Sequence, residues 1–107
     1  MAHLGALRRR AFEESVSRQL NRKYPEKCQA LTSAGLQDLI QDGIQRAGKM
    51  GVTQEDTVAK YIELMVVHDR NWEDGRNVRR LMRHPTLSGV AKVDVIHRQL
   101  IGGKTGA

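Results

Sequence analysis

Apolar residues recur along this chain at the three- and four-residue spacing of an α-helix, and this pattern constrains the fold more than any other feature. The clearest part is the stretch 35–74, which holds two amphipathic segments. Their apolar faces consist of Leu36, Leu39, Ile40, Ile44 and Ala47, and then of Val58, Tyr61, Ile62, Met65 and Val66. Strand-like alternation bounded by Asn-Gly or Asp-Gly turns is nearly absent. The sequence therefore predicts an all-α protein.

A first helix carries Phe12, Val16 and Leu20 on one face. Pro25 disfavours the helical conformation at Tyr24, so we expect this helix to end there.

The second helix has two candidate caps, Thr32 and Ser33, and Gly51 is expected to end it in a left-handed conformation. Gly43 lies inside this helix and costs about 1 kcal/mol relative to alanine, which a close helix crossing would offset. Thr53 is the predicted cap of the third helix, whose apolar stripe we expect at the centre of the core.

Two further helices follow. A short fourth helix is predicted around Val78, Leu81 and Met82, ending before Pro85. Ser88 is the predicted cap of the last helix. One side of that helix carries Val90, Val93, Ile96, His97 and Leu100. We therefore predict a compact bundle of about five short helices, a single domain spanning 1–107 with flexible ends at 1–5 and 102–107.

The chain has 107 residues and a net charge of +6, which suits nucleic acid, an anionic surface or an acidic protein as partner. Aromatic residues make up only 4%, which disfavours a base-stacking platform. The single cysteine, Cys28, excludes an internal disulfide and fits a reducing compartment. No apolar run approaches the roughly 20 residues that span a bilayer. A cytoplasmic protein without membrane contact is expected.

Candidate catalytic and metal-binding patterns are weak. His68-Asp69 resembles the His-Asp pair of metal-dependent phosphohydrolases, but His84 and His97 have no neighbouring carboxylate in the sequence. Cys28 has no recognisable catalytic signature and is interpreted as a small buried apolar residue. We predict that the protein is not an enzyme and uses no metal or cofactor.

A basic cluster is the best candidate for a binding site. Arg76, Arg79, Arg80 and Arg83 are spaced to share one face of the fourth helix, where they would bind phosphates or acidic side chains, or simply be solvated. Trp72 precedes them in a charged loop, either as an anchor to the core or as an exposed contact residue. We predict that Trp72 and the four arginines form a protein-binding surface.

A series of landmarks resembles one known group of proteins. It includes Tyr24-Pro25, Gly35-Leu36, Ile40-x-x-Gly43-Ile44-x-x-Ala47, Gly51-Val52-Thr53, Val58-x-x-Tyr61-Ile62-x-Leu64-Met65, the run 68–74, Pro85 and Ala91-Lys92-Val93. About three-quarters of the chain is covered, and the pattern resembles small helical proteins encoded beside effectors and adaptor chaperones in bacterial type VI secretion clusters.

The resemblance implies a non-enzymatic co-chaperone that assists an adaptor chaperone in stabilising or loading an effector. Two alternatives stay open at this point. One is an immunity protein that neutralises a cognate toxin, and the other is a small basic regulator that binds nucleic acid.

Overall fold

Five α-helices and one short 3-10 helix make up the computed structural model, which describes residues 6–68 and 70–101, with side chains described except at 6–8, 76 and 77. The helices are α1 (Ala6–Lys23), α2 (Pro25–Lys49), α3 (Glu55–Val67), α4 (Arg76–Met82) and α5 (Gly89–Leu100), and the 3-10 helix is Trp72–Asp74. The described residues contain no strand, and the all-α prediction is confirmed. The predicted flexible ends, 1–5 and 102–107, lie outside the described residues.

Helix α3 lies at the centre of the bundle, packed against α1, α2 and α5. Tyr61 and Ile62 of this helix are fully buried, as expected for its apolar stripe, and Leu64, which lies outside that stripe, is fully buried as well. All residues from 61 to 65 are buried, including the hydrophilic Glu63, which shows that this part of α3 is covered on nearly all sides. Phe12, Val16, Leu20, Val93 and Ile96 complete the core from α1 and α5.

The joint between α1 and α2 differs from the prediction. Helix α1 ends at Lys23 as expected, but Pro25 immediately starts α2, because proline is favoured at the first position of a helix. Helix α2 is then interrupted at Thr32, whose φ of +69° and ψ of 170° belong to a region used almost only by glycine. The Thr32 hydroxyl accepts a hydrogen bond from the Gly35 amide at 3.3 Å, so Thr32 caps the part of α2 that follows it.

The end of α2 is a complete left-handed cap. Gly51 has a φ of +82°, its amide donates to the Gly48 carbonyl at 3.0 Å, and the Val52 amide donates to the Ala47 carbonyl at 2.9 Å. Val52 and Ala47 are both buried, which adds the apolar contact that accompanies this motif. The prediction for Gly51 is confirmed.

The prediction that Thr53 caps α3 is wrong. The cap is Gln54, without a hydrogen bond from its side chain, and α3 begins at Glu55. Thr53 and Gln54 are exposed and lie between the buried Val52 and the first turn of α3. Ser88, in contrast, caps α5 as predicted, with its Oγ accepting from the Ala91 amide at 3.1 Å.

Candidate functional site

Three exposed arginines form the surface that we call the α4 basic face: Arg79, Arg80 and Arg83. Arg79 and Arg80 lie in the last turn of α4, and Arg83 follows directly as its C-cap. Arg76 begins the same helix, but its side chain is not among those described. None of the three guanidinium groups pairs with an acidic side chain in the described part of the chain. The three side chains are exposed to solvent.

The opposite face of α4 holds the helix on the bundle. Val78, Leu81 and Met82 are half-buried and pack against the edge of the core. Lys92 of α5 donates a hydrogen bond from Nζ to the Met82 carbonyl at 2.6 Å, which satisfies a free carbonyl at the helix end. Because α4 contacts mainly the 3-10 helix and α5, these few contacts set the direction of the basic face.

Trp72 is buried and anchors its loop, which is one of the two arrangements that the sequence left open; its contact with a partner protein stays a prediction. Its side chain is only 4% exposed, and its ring meets the edge of Tyr61 with 4.9 Å between centroids and 65° between planes. Burying a large aromatic ring stabilises more than leaving it in solvent, so the loop folds back onto α3.

Polar contacts fix the same loop to α2. Arg46 donates to the Arg70 carbonyl at 2.8 Å and forms an ion pair with Asp42 at 3.1 Å. Arg70 in turn pairs with Asp38 at 3.3 Å. These bonds hold the segment before the 3-10 helix, so the path into α4 is set from two helices.

Tyr61 adds a bond from the core to the same loop. Its hydroxyl donates to the carboxylate of Glu73, and burial together with this carboxylate raises the pKa of Tyr61 far above its ordinary value. The phenol therefore stays protonated as a donor. Tyr61 thus holds both Trp72 and Glu73, and through them the start of α4.

A buried carboxylate that sequence reasoning missed joins three elements. Glu63 is 7% exposed, and its Oε2 accepts hydrogen bonds from the Tyr24 hydroxyl at 2.5 Å and the Lys23 ammonium at 3.2 Å. Its Oε1 lies 2.7 Å from Nε2 of His97. The sequence showed no signal for this cluster, because Glu63 and His97 are far in the chain from the adjacent pair Lys23 and Tyr24, and Glu63 sits between two apolar residues.

The environment of Glu63 favours its charged form. Burial by itself raises the pKa of a carboxyl group, but the hydrogen bonds from Tyr24 and His97 and the charge of Lys23 outweigh burial and hold the pKa below its usual 4.5. Burial, and after it the hydrogen bond to Glu63, raise the pKa of the Tyr24 hydroxyl well above its ordinary value. Both carboxylate oxygens are thus occupied by bonds between helices, which identifies the cluster as a structural joint.

A cleft of about 620 Å³ lies beside this joint, between α1, α3 and α5. Its walls include Lys23, Lys60, Glu63 and His97. The carboxylate of Glu63 is the partner of His97 in space, although no carboxylate is adjacent to His97 in the sequence. Phe12, Val16 and Leu20, which the sequence placed on one face of the first helix, are buried and line the same cleft.

The other residues that the sequence offered for catalysis or metal binding are Cys28 and the pair His68-Asp69. Cys28 is 3% exposed, and burial raises the pKa of its thiol, which suits the predicted role as a small apolar residue. Of the 95 or so residues described, no three His, Cys, Asp or Glu side chains lie close enough together to hold a metal ion. Asp69, the partner of His68 in the sequence pattern, is outside the described residues.

Replacement of Glu63 by glutamine should lower the free energy of unfolding by about 1 kcal/mol at neutral pH, because hydrogen bonds to a charged acceptor are exchanged for weaker ones. The folded pKa of Glu63 is lowered, so its contribution is complete above the unfolded pKa near 4.5 and is lost as pH falls through the folded value. Below pH 4.5 the stability of the wild type should therefore fall more steeply than that of the variant.

Urea unfolding at several pH values measures this difference. Glu14→Gln is the matched control, since it makes the same change at an exposed position of α1 and should leave the acid profile nearly unchanged. Parallel profiles for the wild type and Glu63→Gln would show that the carboxylate does not join the helices.

Among the residues described, no helix is both long and apolar enough to cross a membrane. Comparisons with protein-family models, with curated proteins and with solved structures find no match to this chain.

Proposed function

We propose that this protein is a non-enzymatic accessory factor that binds an acidic surface of a partner protein through the α4 basic face. The supporting observation is the group of three exposed arginines without acidic partners among the described residues. Arginine is enriched in protein interfaces, because its planar guanidinium binds carboxylates in a bidentate manner and can pack on apolar surface.

The aromatic residues favour a protein over nucleic acid as the partner. All four of them are described: Phe12, Tyr61 and Trp72 are buried, and the half-buried Tyr24 donates its hydroxyl hydrogen to Glu63. Binding of single-stranded nucleic acid usually relies on stacking between bases and exposed aromatic rings. Duplex recognition places a polar helix in the major groove, and α4, with seven residues, is short for that role.

The resemblance to small helical proteins of type VI secretion clusters supports a particular class of partner. We propose that the partner is an adaptor chaperone or an effector, and that the protein acts in the cytoplasm before the effector is secreted. An accessory factor of this kind needs a stable scaffold and an exposed contact surface and does not need a catalytic centre. The joint at Glu63 and the anchor at Trp72 supply such a scaffold.

A pull-down from cells that co-express the neighbouring genes tests the proposal. The variant Arg79→Glu/Arg80→Glu/Arg83→Glu reverses the charge of the basic face. We expect it to retain at least tenfold less partner than the wild type. The matched control is Arg10→Glu/Arg18→Glu/Arg22→Glu, which changes the net charge equally on exposed positions of α1. Equal loss in both variants would show that net charge, and not the α4 surface, carries binding.

Other results would redirect the assignment. Recovery of a toxin together with loss of its activity, and rescue of cells by co-expression, would indicate an immunity protein. A complex that disappears after nuclease treatment, with an affinity that falls steeply as salt is raised, would indicate a nucleic-acid-binding regulator. Retention of an adaptor or effector by the reversed variant at wild-type levels would refute the α4 basic face as the contact.

A further inference from the structure

Thr32 divides helix α2 into two parts, which we call the corner segment (25–31) and the main segment (33–49). Its φ of +69° and ψ of 170° lie in a region that glycine adopts readily and threonine rarely. The Thr32 side chain is exposed, so its own packing does not hold it in this conformation. No proline follows Pro25 within α2, and a continuous helix is therefore open to this sequence.

Contacts on the N-terminal side of Thr32 hold the bend. The Tyr24 hydroxyl, directly before the corner segment, donates to Glu63 of α3 at 2.5 Å. Within the segment, Cys28 is buried and Leu31 packs against the core. The bend thus exists because tertiary contacts outweigh the backbone strain at Thr32.

Helix α1 and the corner segment form an N-terminal arm (6–31), which is joined to the rest of the chain through Thr32 alone. The arm packs on the main segment and on α3. Arg18 of α1 and Gln37 of the main segment line one groove, while Phe12, Val16 and Leu20 are buried. The apolar face of the arm and the surface that it covers are therefore complementary parts of a single chain.

A helical conformation at Thr32 would make α2 continuous. The corner segment, at 1.5 Å per residue, would then carry the end of α1 about 10 Å beyond Thr32 and away from the main segment. The apolar face of α1 and the surface beneath it would both be exposed, which is unfavourable. A second copy in the same state presents the same two surfaces, so two arms can exchange and keep every contact of the monomer.

We propose that Thr32 is the hinge of an arm-exchanged dimer, in which residues 6–31 of each copy pack on the main segment and α3 of the other. The exchange repeats the contacts of the monomer and releases the backbone strain at both hinges. A short strained hinge is the feature that favours such an exchange. The arm contains no residue of the α4 basic face, so the dimer is independent of the proposed function.

Refolding of the full chain at increasing concentration, followed by size-exclusion chromatography with light scattering, measures the dimerisation constant. Thr32→Gly should lower this constant about a hundredfold, roughly tenfold for each hinge, because glycine adopts the bend without strain and disfavours the continuous helix. Thr32→Ala should raise it about tenfold or more. Alanine favours the continuous helix and loses the hydroxyl that accepts from the Gly35 amide in the bent form.

Ser33→Gly and Ser33→Ala are the matched controls. Ser33 is the next residue, is exposed, and is helical whether α2 is bent or continuous. Each control should therefore change the dimerisation constant by less than about threefold, since helix propensity acts equally on monomer and dimer. A change as large as that of the Thr32 variants would show that Thr32 is not the hinge.

Isotope-filtered NMR distinguishes arm exchange from a dimer of intact monomers. In a dimer refolded from labelled and unlabelled chains, nuclear Overhauser effects should join the Glu63 side chain of one copy to the Tyr24 ring of the other. Detection of this contact within single chains only would overturn the proposal. It would equally fail if the wild type and Thr32→Ala were monomeric at every concentration, or if Thr32→Gly dimerised as strongly as the wild type.

Discussion

Replacement of Trp72 by alanine is expected to lower the free energy of unfolding by about 3–5 kcal/mol, the usual effect of removing a large buried aromatic side chain. The ring is 4% exposed and packs edge-on against Tyr61, so its removal leaves a cavity beside the central helix. Because the 3-10 helix of Trp72 leads directly into α4, the loss should also loosen the α4 basic face. Urea unfolding followed by far-ultraviolet circular dichroism measures the effect.

Trp72→Phe is the appropriate control for this experiment. Phenylalanine keeps an aromatic ring next to Tyr61 and removes the indole Nε1, a buried donor for which the described residues provide no hydrogen-bond acceptor. Its cost should therefore be well below that of alanine, since no satisfied hydrogen bond is lost. If Trp72→Ala were as stable as the wild type but failed to retain the partner, Trp72 would be a contact residue instead of an anchor.

Replacement of Gly43 by alanine should destabilise the protein by about 1–3 kcal/mol, although alanine is the better helix former. A Cβ atom at this position would lie 2.5 Å from Cγ1 of Ile62 and 3.0 Å from Sδ of Met65. The distance to Ile62 is far below a van der Waals contact, so α2 and α3 would have to separate. Chemical denaturation of the purified variant measures the cost.

Gly48→Ala is a control within the same helix. Nothing lies within 4 Å of a Cβ built at Gly48, so the substitution should stabilise the protein by about 0.5–1 kcal/mol through helix propensity alone. Opposite signs at the two glycines would establish the close crossing of α2 and α3. The double variant Gly43→Ala/Ile62→Ala should be less destabilised than the sum of its single changes, because the clash is absent. Strict additivity would contradict the crossing.

Gly43 and Gly51 illustrate how much of this structure the sequence predicts. Gly43 lies inside a clear apolar period, and a close crossing there was the predicted compensation for its low helix propensity, which the distance to Ile62 confirms. Gly51 was recognised as a helix end for a local reason, its freedom to adopt a positive φ. Both predictions rest on local information, namely the apolar period of one helix for Gly43 and the backbone freedom of glycine for Gly51.

The prediction for Thr53 failed, since α3 begins at Glu55 with Gln54 as its cap. At Trp72 the sequence left two arrangements open, and in the structure the ring is buried against the edge of Tyr61. That contact joins residues of different elements, which the local pattern around Trp72 does not contain.

Sequence patterns predict the helical class, the apolar faces, the caps at Gly51 and Ser88 and the spacing of the arginines, because all of these follow from local periodicity and backbone preference. The packing of the helices brings Glu63 into contact with Tyr24, Lys23 and His97, and it leaves Leu100 exposed near Trp72. These contacts join residues from different helices, and no local preference records which helices become neighbours when the common core is buried.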